Sequence, residues 1–288
     1  MKDFVIFADS ACDISPEILK SWGIPFCSLT FRFDGEDKEY GNHDMPISEF
    51  YQKMREGGVA KTAAVNSEAF REAFEALAAE GKDILYLGFS SGLSTTCNSA
   101  RIAANEVREK HPDCRIEIID TLSASAGIGV MLRAVADKKE EGADLAECAD
   151  YARSLVKGNC HWFTVDDLVY LKRGGRISTA AAFFGNTIGI KPVMHVDDEG
   201  HLVNVLKVRG RKAAIATMAG KYTELAVTPE SGRIYISHSD CIDDAKLLAS
   251  MIEAKHGVKT EIITDVGPVI GAHSGPGTLA LFFVGKER

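Results

Sequence analysis

The sequence predicts an α/β fold in two domains. Short apolar runs alternate with longer amphipathic segments, small hydroxyl, acidic or glycine residues gather at the ends of the runs, and the texture changes near Lys157-Gly158-Asn159. The N-terminal domain, residues 1–160, is expected to hold a mostly parallel sheet flanked by helices. The C-terminal domain, residues 161–288, is expected to be α/β with a mixed sheet.

In the first half, strands are expected at FVIFA (Phe4 to Ala8), PFCSLTF (Pro25 to Phe31), DILYLGF (Asp83 to Phe89) and RIEIID (Arg115 to Asp120). Ser15-Pro16-Glu17 announces a helix by an N-cap, a first-turn proline and an acid at the positive helix end. Asn66-Ser67-Glu68 opens another, in which Phe70, Phe74 and Leu77 share a face and Gly81 stops the run. SARIAANEV is helix-like, and further helices run from Ile128 to Gly142 and from Leu145 to Val156. In the second half, KPVMHVDDEGHLVNVLKVRG reads as two antiparallel strands turning at Asp198-Glu199-Gly200. A helix from Lys212 to Leu225, a strand RIYISH, a helix from Asp243 to His256 and a strand TEIITDVG follow.

Composition narrows the function. With 288 residues and 45% hydrophobic residues the chain builds an ordinary buried core, and a net charge of −8 with dispersed basic residues argues against nucleic acid and against anionic membranes as partners. Seven cysteines without a C-x-x-C pair fit reduced thiols better than disulfides or zinc. No signal-peptide pattern is seen, and no apolar run approaches the roughly 18 residues of a membrane span, so a cytoplasmic protein without an integral membrane segment is expected.

Four strands end in polar clusters: ADSACD, SSGLSTT, DTLSASAG and SHSDC. In an open α/β sheet such carboxyl-end loops line the ligand crevice, although each cluster alone would serve as a helix cap. Gly88-Phe89-Ser90-Ser91-Gly92 matches G-x-S-x-G after a strand, and Asp120 and His273 follow in the order of an α/β-hydrolase triad, so a serine esterase using Ser90 with His273 is an alternative. Against it, the chain has no HGGG-type oxyanion loop, and a hydroxyl-rich loop at a helix N-terminus also suits a carboxylate. Phosphate loops and dinucleotide fingerprints are absent, and no H-x-x-x-H or H-x-H pair suggests a metal site; no cofactor is expected. Lys172-Arg173-Gly174-Gly175-Arg176 is the densest basic cluster and reads either as a solvated turn or as a docking patch. His273, in GPVIGAHSGPG, is expected on a loop shaped by glycine and proline.

Taken in order, DSACD, SSGLSTT, DTLSASAG, YLKRGGRIS, RGRKA and GPVIGAHSGPG resemble the motifs of the DegV family, over essentially the whole chain from Phe4 to Phe283. That family includes the fatty-acid-binding subunit of bacterial fatty acid kinase. The resemblance implies a long-chain fatty acid held between the two domains and presented to a separate ATP-dependent kinase for acyl-phosphate formation, with no catalysis by this chain. By position, Thr62, Ser91, Ser94 and His273 would hold the carboxylate. Phe163, Leu168, Phe183, Phe184, Ile188 and Ile190, with Met194 and Leu281, would enclose the acyl chain. Arg173, Arg176, Arg209 and Arg211 would dock the kinase. The chain departs from the family's TSQPS-like loop, where Thr62 is followed by Ala63, Ala64, Val65 and Asn66, and Cys97 stands where an aromatic residue is common. A carrier of another small carboxylate, without a kinase, is a further alternative.

Overall fold

A computed structural model describes residues 3–178 and 189–288. The first half runs β1 (Phe4–Asp9), α1 (Pro16–Ser21), β2 (Phe26–Cys27), β3 (Thr30–Phe33), β4 (Tyr40–Gly41), α2 (Ile47–Arg55), β5 (Ala60–Ala63), α3 (Ser67–Ala79), β6 (Asp83–Gly88), α4 (Thr96–Lys110), β7 (Ile116–Asp120), α5 (Ala126–Glu140) and α6 (Leu145–Val156). The second half runs β8 (Asn159–Thr164), α7 (Val169–Arg173), β9 (Ile190–Val196), β10 (Leu202–Arg209), α8 (Arg211–Leu225), β11 (Ile234–His238), α9 (Ile242–His256), β12 (Ile262–Asp265), α10 (Pro268–Ser274) and β13 (Leu279–Val284).

Among the described residues the strands form three sheets. The first has the order β2-β1-β6-β7 with every pairing parallel, and its central strand β6 is buried along its whole length. Helix ends follow the residue chemistry: Ser15 Oγ accepts from Ile18 N at the start of α1, and Asn66 Oδ1 accepts from Ala69 N at the start of α3. Asp144 and Glu147 form a reciprocal capping box on α6. The second sheet has the order β10-β9-β8-β13-β11-β12, in which only β11 and β12 pair in parallel, so it is mixed. Its strand β8 begins at Asn159.

The third sheet, β4-β3-β5, is antiparallel, and the sequence reading does not anticipate it. PFCSLTF is not one strand. It breaks at Ser28-Leu29, where Leu29 N donates to Ser10 Oγ at 3.0 Å, so that β2 stays in the parallel sheet while β3 crosses into the small one. Helix α2 closes the small sheet through Phe50, Tyr51 and Met54, with Phe31 and Phe50 edge to face at 5.2 Å. Ala272 of α10 packs into the same cluster, which ties this sheet to the second half.

Helix α5 joins the two large sheets. Its buried N-terminal turns are made of small residues, and at Gly127 a Cβ would come within 2.8 Å of the Phe282 ring, so glycine sets how closely the helix approaches β13. Asn159 of β8 donates to Gly127 O at 3.0 Å across the same seam. The carboxyl-end loops of the parallel sheet are thereby held against the inner face of the mixed sheet. No helix among the described residues is long and apolar enough to cross a membrane.

Candidate functional site

A cavity of about 420 Å³ lies between the parallel-sheet loops, the inner face of the mixed sheet and α10. That size falls within the ordinary range for small-molecule sites. Its wall is mixed, with Phe89, Leu93, Phe163, Leu171 and Val269 supplying apolar surface beside a set of hydroxyl, histidine and guanidinium groups.

Thr62, Ser91, Ser94 and His273 all line this cavity. Thr62 sits on β5, and its hydroxyl bonds His273 Nε2 at 2.8 Å. His273 is not on a loop: Pro268 opens the short helix α10 at its first turn, His273 falls in the last turn, and Gly275 ends the helix with φ of +80°. The glycines and prolines that suggested a loop are the start and stop signals of a seven-residue helix. Burial, reinforced by the Arg176 cation, pushes the His273 ring down to about 4, so it is neutral at physiological pH. Gly174 lies against the ring, and a Cβ there would stand 2.1 Å from Nδ1.

Ser91 is exposed at the mouth, its backbone N–H donating to Asp120 Oδ1 at 3.2 Å. Ser94 Oγ accepts from Thr96 N at 3.2 Å, at the start of α4, where the helix dipole favours an anion. Beneath them Asp9 is fully buried. Its carboxyl, raised in pKa by desolvation, takes bonds from Tyr86 Oη, Phe89 N and Ala11 N, which fixes the first loop against the third.

Arg176 is not a surface docking residue. Its guanidinium is in the cavity wall, with Nε and Nη2 donating to Leu93 O at 3.2 and 3.0 Å and Nη1 to Gly174 O at 2.5 Å. Two of its five N–H groups are left unspent by those bonds. The Gly174-Gly175 turn, with Gly175 at φ +71°, brings Arg176 back onto Gly174 O and Leu93 O. Arg211 also departs from the docking expectation, because it pairs with Asp244 at 2.8 Å and lies 3.8 Å from Asp166. Arg173, 5.6 Å over the Tyr170 ring, and Arg209, at the end of β10, are exposed.

Ser90 and His273 do not come together. Ser90 is fully buried, its hydroxyl donates to Gly200 O at 2.9 Å, and Nε2 of His273 is taken by Thr62. Asp120 holds the backbone of Ser91 and Leu122 instead of a histidine. The triad order in the sequence is thus a coincidence of loops that serve other bonds.

The expected acyl lining is corrected in part. Phe163 is in the wall. Leu281 faces the opposite side of the mixed sheet, in the core with Ile215 and Met218, since neighbours along β13 alternate faces and Ala280 takes the cavity side. Leu168 and Met194 are core residues behind the wall, and Ile190 at the start of β9 is half-buried outside it. Phe183, Phe184 and Ile188 lie outside the described residues.

Polar wall residues not predicted from the sequence include Ser125, Ser237 and His161. Ser125, in the strained backbone conformation φ 54°, ψ −147°, bonds Asp13 Oδ2 at 2.5 Å and Ser237 Oγ at 3.0 Å. Asp13 is buried, and desolvation lifts it to about 7. The clusters DTLSASAG and SHSDC did signal polarity at these strand ends, but nothing local marks which serine faces inward. Among the described residues no group of acidic, histidine and cysteine side chains could hold a metal.

A parallel-sheet unit and a mixed-sheet unit enclose a cavity whose apolar wall carries hydroxyl, imidazole and guanidinium groups, a chemistry that suits an amphipathic anion. A family model described as "Uncharacterised protein, DegV family" matches residues 3–286, and the chain belongs to the DegV family. A DegV domain-containing protein of Clostridium perfringens is 43% identical over 291 residues, covering 100% of this chain and 99% of that one. Among solved structures, the fatty-acid-binding DegV family protein of Thermus thermophilus is 29% identical with a TM-score of 0.88, over 99% of this chain and 100% of the other. A DegV lipid-binding protein of Thermotoga maritima is 29% identical with a TM-score of 0.85, over 99% of both chains.

Proposed function

We propose that this protein binds a long-chain fatty acid in the cavity between its two units and presents the carboxylate to a separate ATP-dependent kinase. The observation that carries the reading is that Thr62, bonded to His273, and Arg176 and Ser94 all line one cavity whose remaining wall is largely apolar. A carboxylate taken out of water without donors costs several kcal/mol. Here Arg176 supplies a permanent positive charge with unspent N–H groups, Thr62 and Ser94 supply hydroxyls, and the neutral His273 orients Thr62. Phe163, Leu171 and Val269 give the chain an apolar bed, at roughly 0.8 kcal/mol per buried methylene. Relatives described as fatty-acid-binding proteins share the fold at 29% identity and lend the ligand class its support.

The kinase step rests on the family resemblance and on the placement of two arginines. Arg173 and Arg209 are exposed, whereas Arg176 lines the cavity and Arg211 pairs with Asp244, so the first two are the candidates for partner docking. No phosphate loop is present in the chain, so ATP must be bound elsewhere. Extraction of the purified protein into organic solvent, followed by mass spectrometry, tests the ligand class. One fatty acid per chain is expected; a different small carboxylate, or none after saturation with free fatty acid, would sink the reading.

A further inference from the structure

The turn between β9 and β10 crosses from the mixed-sheet unit to the loops of the parallel unit and is fitted there by a close joint. Ser90, fully buried, donates its hydroxyl to Gly200 O at 2.9 Å and accepts from Gly92 N at 3.2 Å. Two glycines let the chains close on one another. A Cβ at Gly92 would stand 2.8 Å from Glu199 O and Gly200 O, and one at Gly200, whose φ is +79°, would stand 2.1 Å from Ser90 Oγ. The Arg288 guanidinium ties the same turn, donating to Asp197 O at 2.9 Å while it also bonds Thr121 O, Leu122 O and Val156 O of the first half. Asp197 Oδ1 braces the turn from within, accepting from the N–H groups of Glu199 and His201, both at 2.9 Å. β10 beyond it has fewer ties: among the described residues it is an outer strand paired with β9 alone, with a register shift between Asn204 and Leu206. Leu202 opens β10 two residues past Gly200 and lines the cavity. Its place in the wall therefore follows from where the turn is fastened.

We infer that Ser90 is a positioning residue for ligand binding: by fastening the β9–β10 turn across the two units, it holds Leu202 against the acyl chain. Phe89 and Ser91 line the cavity and Ser90 between them does not, so the serine acts on the ligand through Leu202 and not by touching it. Without its hydroxyl, Gly200 O and Gly92 N lose their buried partner and the joint loosens. The inference rests on the fatty-acid reading of the cavity and adds to it a determinant of affinity outside the carboxylate site.

The test is a double-mutant cycle on delipidated wild type, Ser90→Ala, Leu202→Ala and the double variant, with Kd for stearic acid and stearyl alcohol read by displacement of a fluorescent fatty acid. Each single change is expected to weaken acid and alcohol alike by about four- to fifteenfold, the burial of one or two methylenes. The double variant should be no weaker than the weaker single one, because both changes remove the same contact. Gly92→Ala, whose Cβ would press on Glu199 O and Gly200 O, pushes the turn away without altering the serine and should give the same loss. Should Ser90→Ala fail to fold, Gly92→Ala takes its place in the cycle; failure of both to fold would show that the joint carries the fold and not the wall. That outcome overturns the inference, as do additive losses, a loss for the acid alone, or wild-type affinity in either single variant. Stearic acid left unbound by wild type overturns the fatty-acid reading with it.

Discussion

Two regions of one cavity wall are built in different ways. The Thr62–His273–Arg176–Ser94 region is carried by loops, a strand end and a short helix, and bonds across long sequence separations hold it: Thr62 to His273, and Arg176 to the Leu93 carbonyl. The Ser125–Ser237–His161 region is carried by strand interiors and by the first turn of a buried helix, and is anchored on Asp13. The first is open at Ser91 and offers a fixed positive charge, so it suits an anion. The second is closed and offers only neutral donors and acceptors. Position along a strand, more than residue type, divides the two tasks.

The largest expected effect comes from removing the charge that distinguishes the first region. Arg176→Met keeps the apolar stem and should cost about 1.5–3 kcal/mol of fatty-acid affinity, or ten- to about a hundredfold in Kd by displacement of a fluorescent fatty acid. Fatty alcohols should bind both forms alike. Equal loss for acid and alcohol would mean that Arg176 only braces Leu93 and Gly174.

Thr62→Ala should weaken the acid by roughly three- to tenfold, the cost of one hydrogen bond, with Thr62→Ser close to wild type. Thermal stability measured alongside separates a lost ligand contact from a lost link between β5 and α10.

The Asp13 anchor gives the second region a pH signature. Its carboxyl is lifted from the unfolded value of 3.8 to about 7, so the folded state binds the extra proton between those values. The stability this contributes is full below pH 3.8 and is lost as pH rises through 7. His161 and His273, lowered to about 3 and about 4, act in the opposite sense, gaining stability as pH rises toward the ordinary histidine range. The difference between wild type and Asp13→Asn isolates the first effect: the stability advantage of wild type should shrink from pH 4 to pH 8 in chemical denaturation. A constant difference would show that Asp13 does not hold a proton in this window.

The smallest effect on lipid is expected outside the cavity. Arg173→Ala and Arg209→Ala should retain bound fatty acid and normal stability, yet fail to support phosphorylation when mixed with a cognate kinase. Wild-type coupling should weaken with salt, because exposed charge is screened over about 8–10 Å. Loss of lipid from either variant would move that arginine into the binding site.

The parallel sheet was legible in the sequence, because buried strands such as DILYLG are continuous apolar runs and its helices carry caps at Ser15 and Asn66, whereas of the mixed sheet β9 to β12 were read and the central β8 and β13 were not. The small sheet was not. Its strands are two to four residues long, β5 reads AKTA, and the break between β2 and β3 is decided by a long-range bond from Leu29 to Ser10. In the cavity, Thr62, Ser91, Ser94 and His273 were named in advance by their positions in the motifs of the resemblance, and all four line the wall. Residues whose role depends on facing one side of a strand could not be: Leu281 and Ala280 are neighbours, and register alone puts one in the far core and the other at the ligand wall. Arg176 was placed on the surface for its charge, whereas the Gly174-Gly175 turn folds it inward onto Leu93 O.

The most direct measurement is a crystal structure of the protein with stearic acid bound. The account predicts the carboxylate within hydrogen-bond distance of Thr62 Oγ1 and the Arg176 guanidinium, with the chain running past Phe163 toward His161. A carboxylate found at the Ser125–Ser237 wall, or a fatty acid bound outside the cavity, would contradict it.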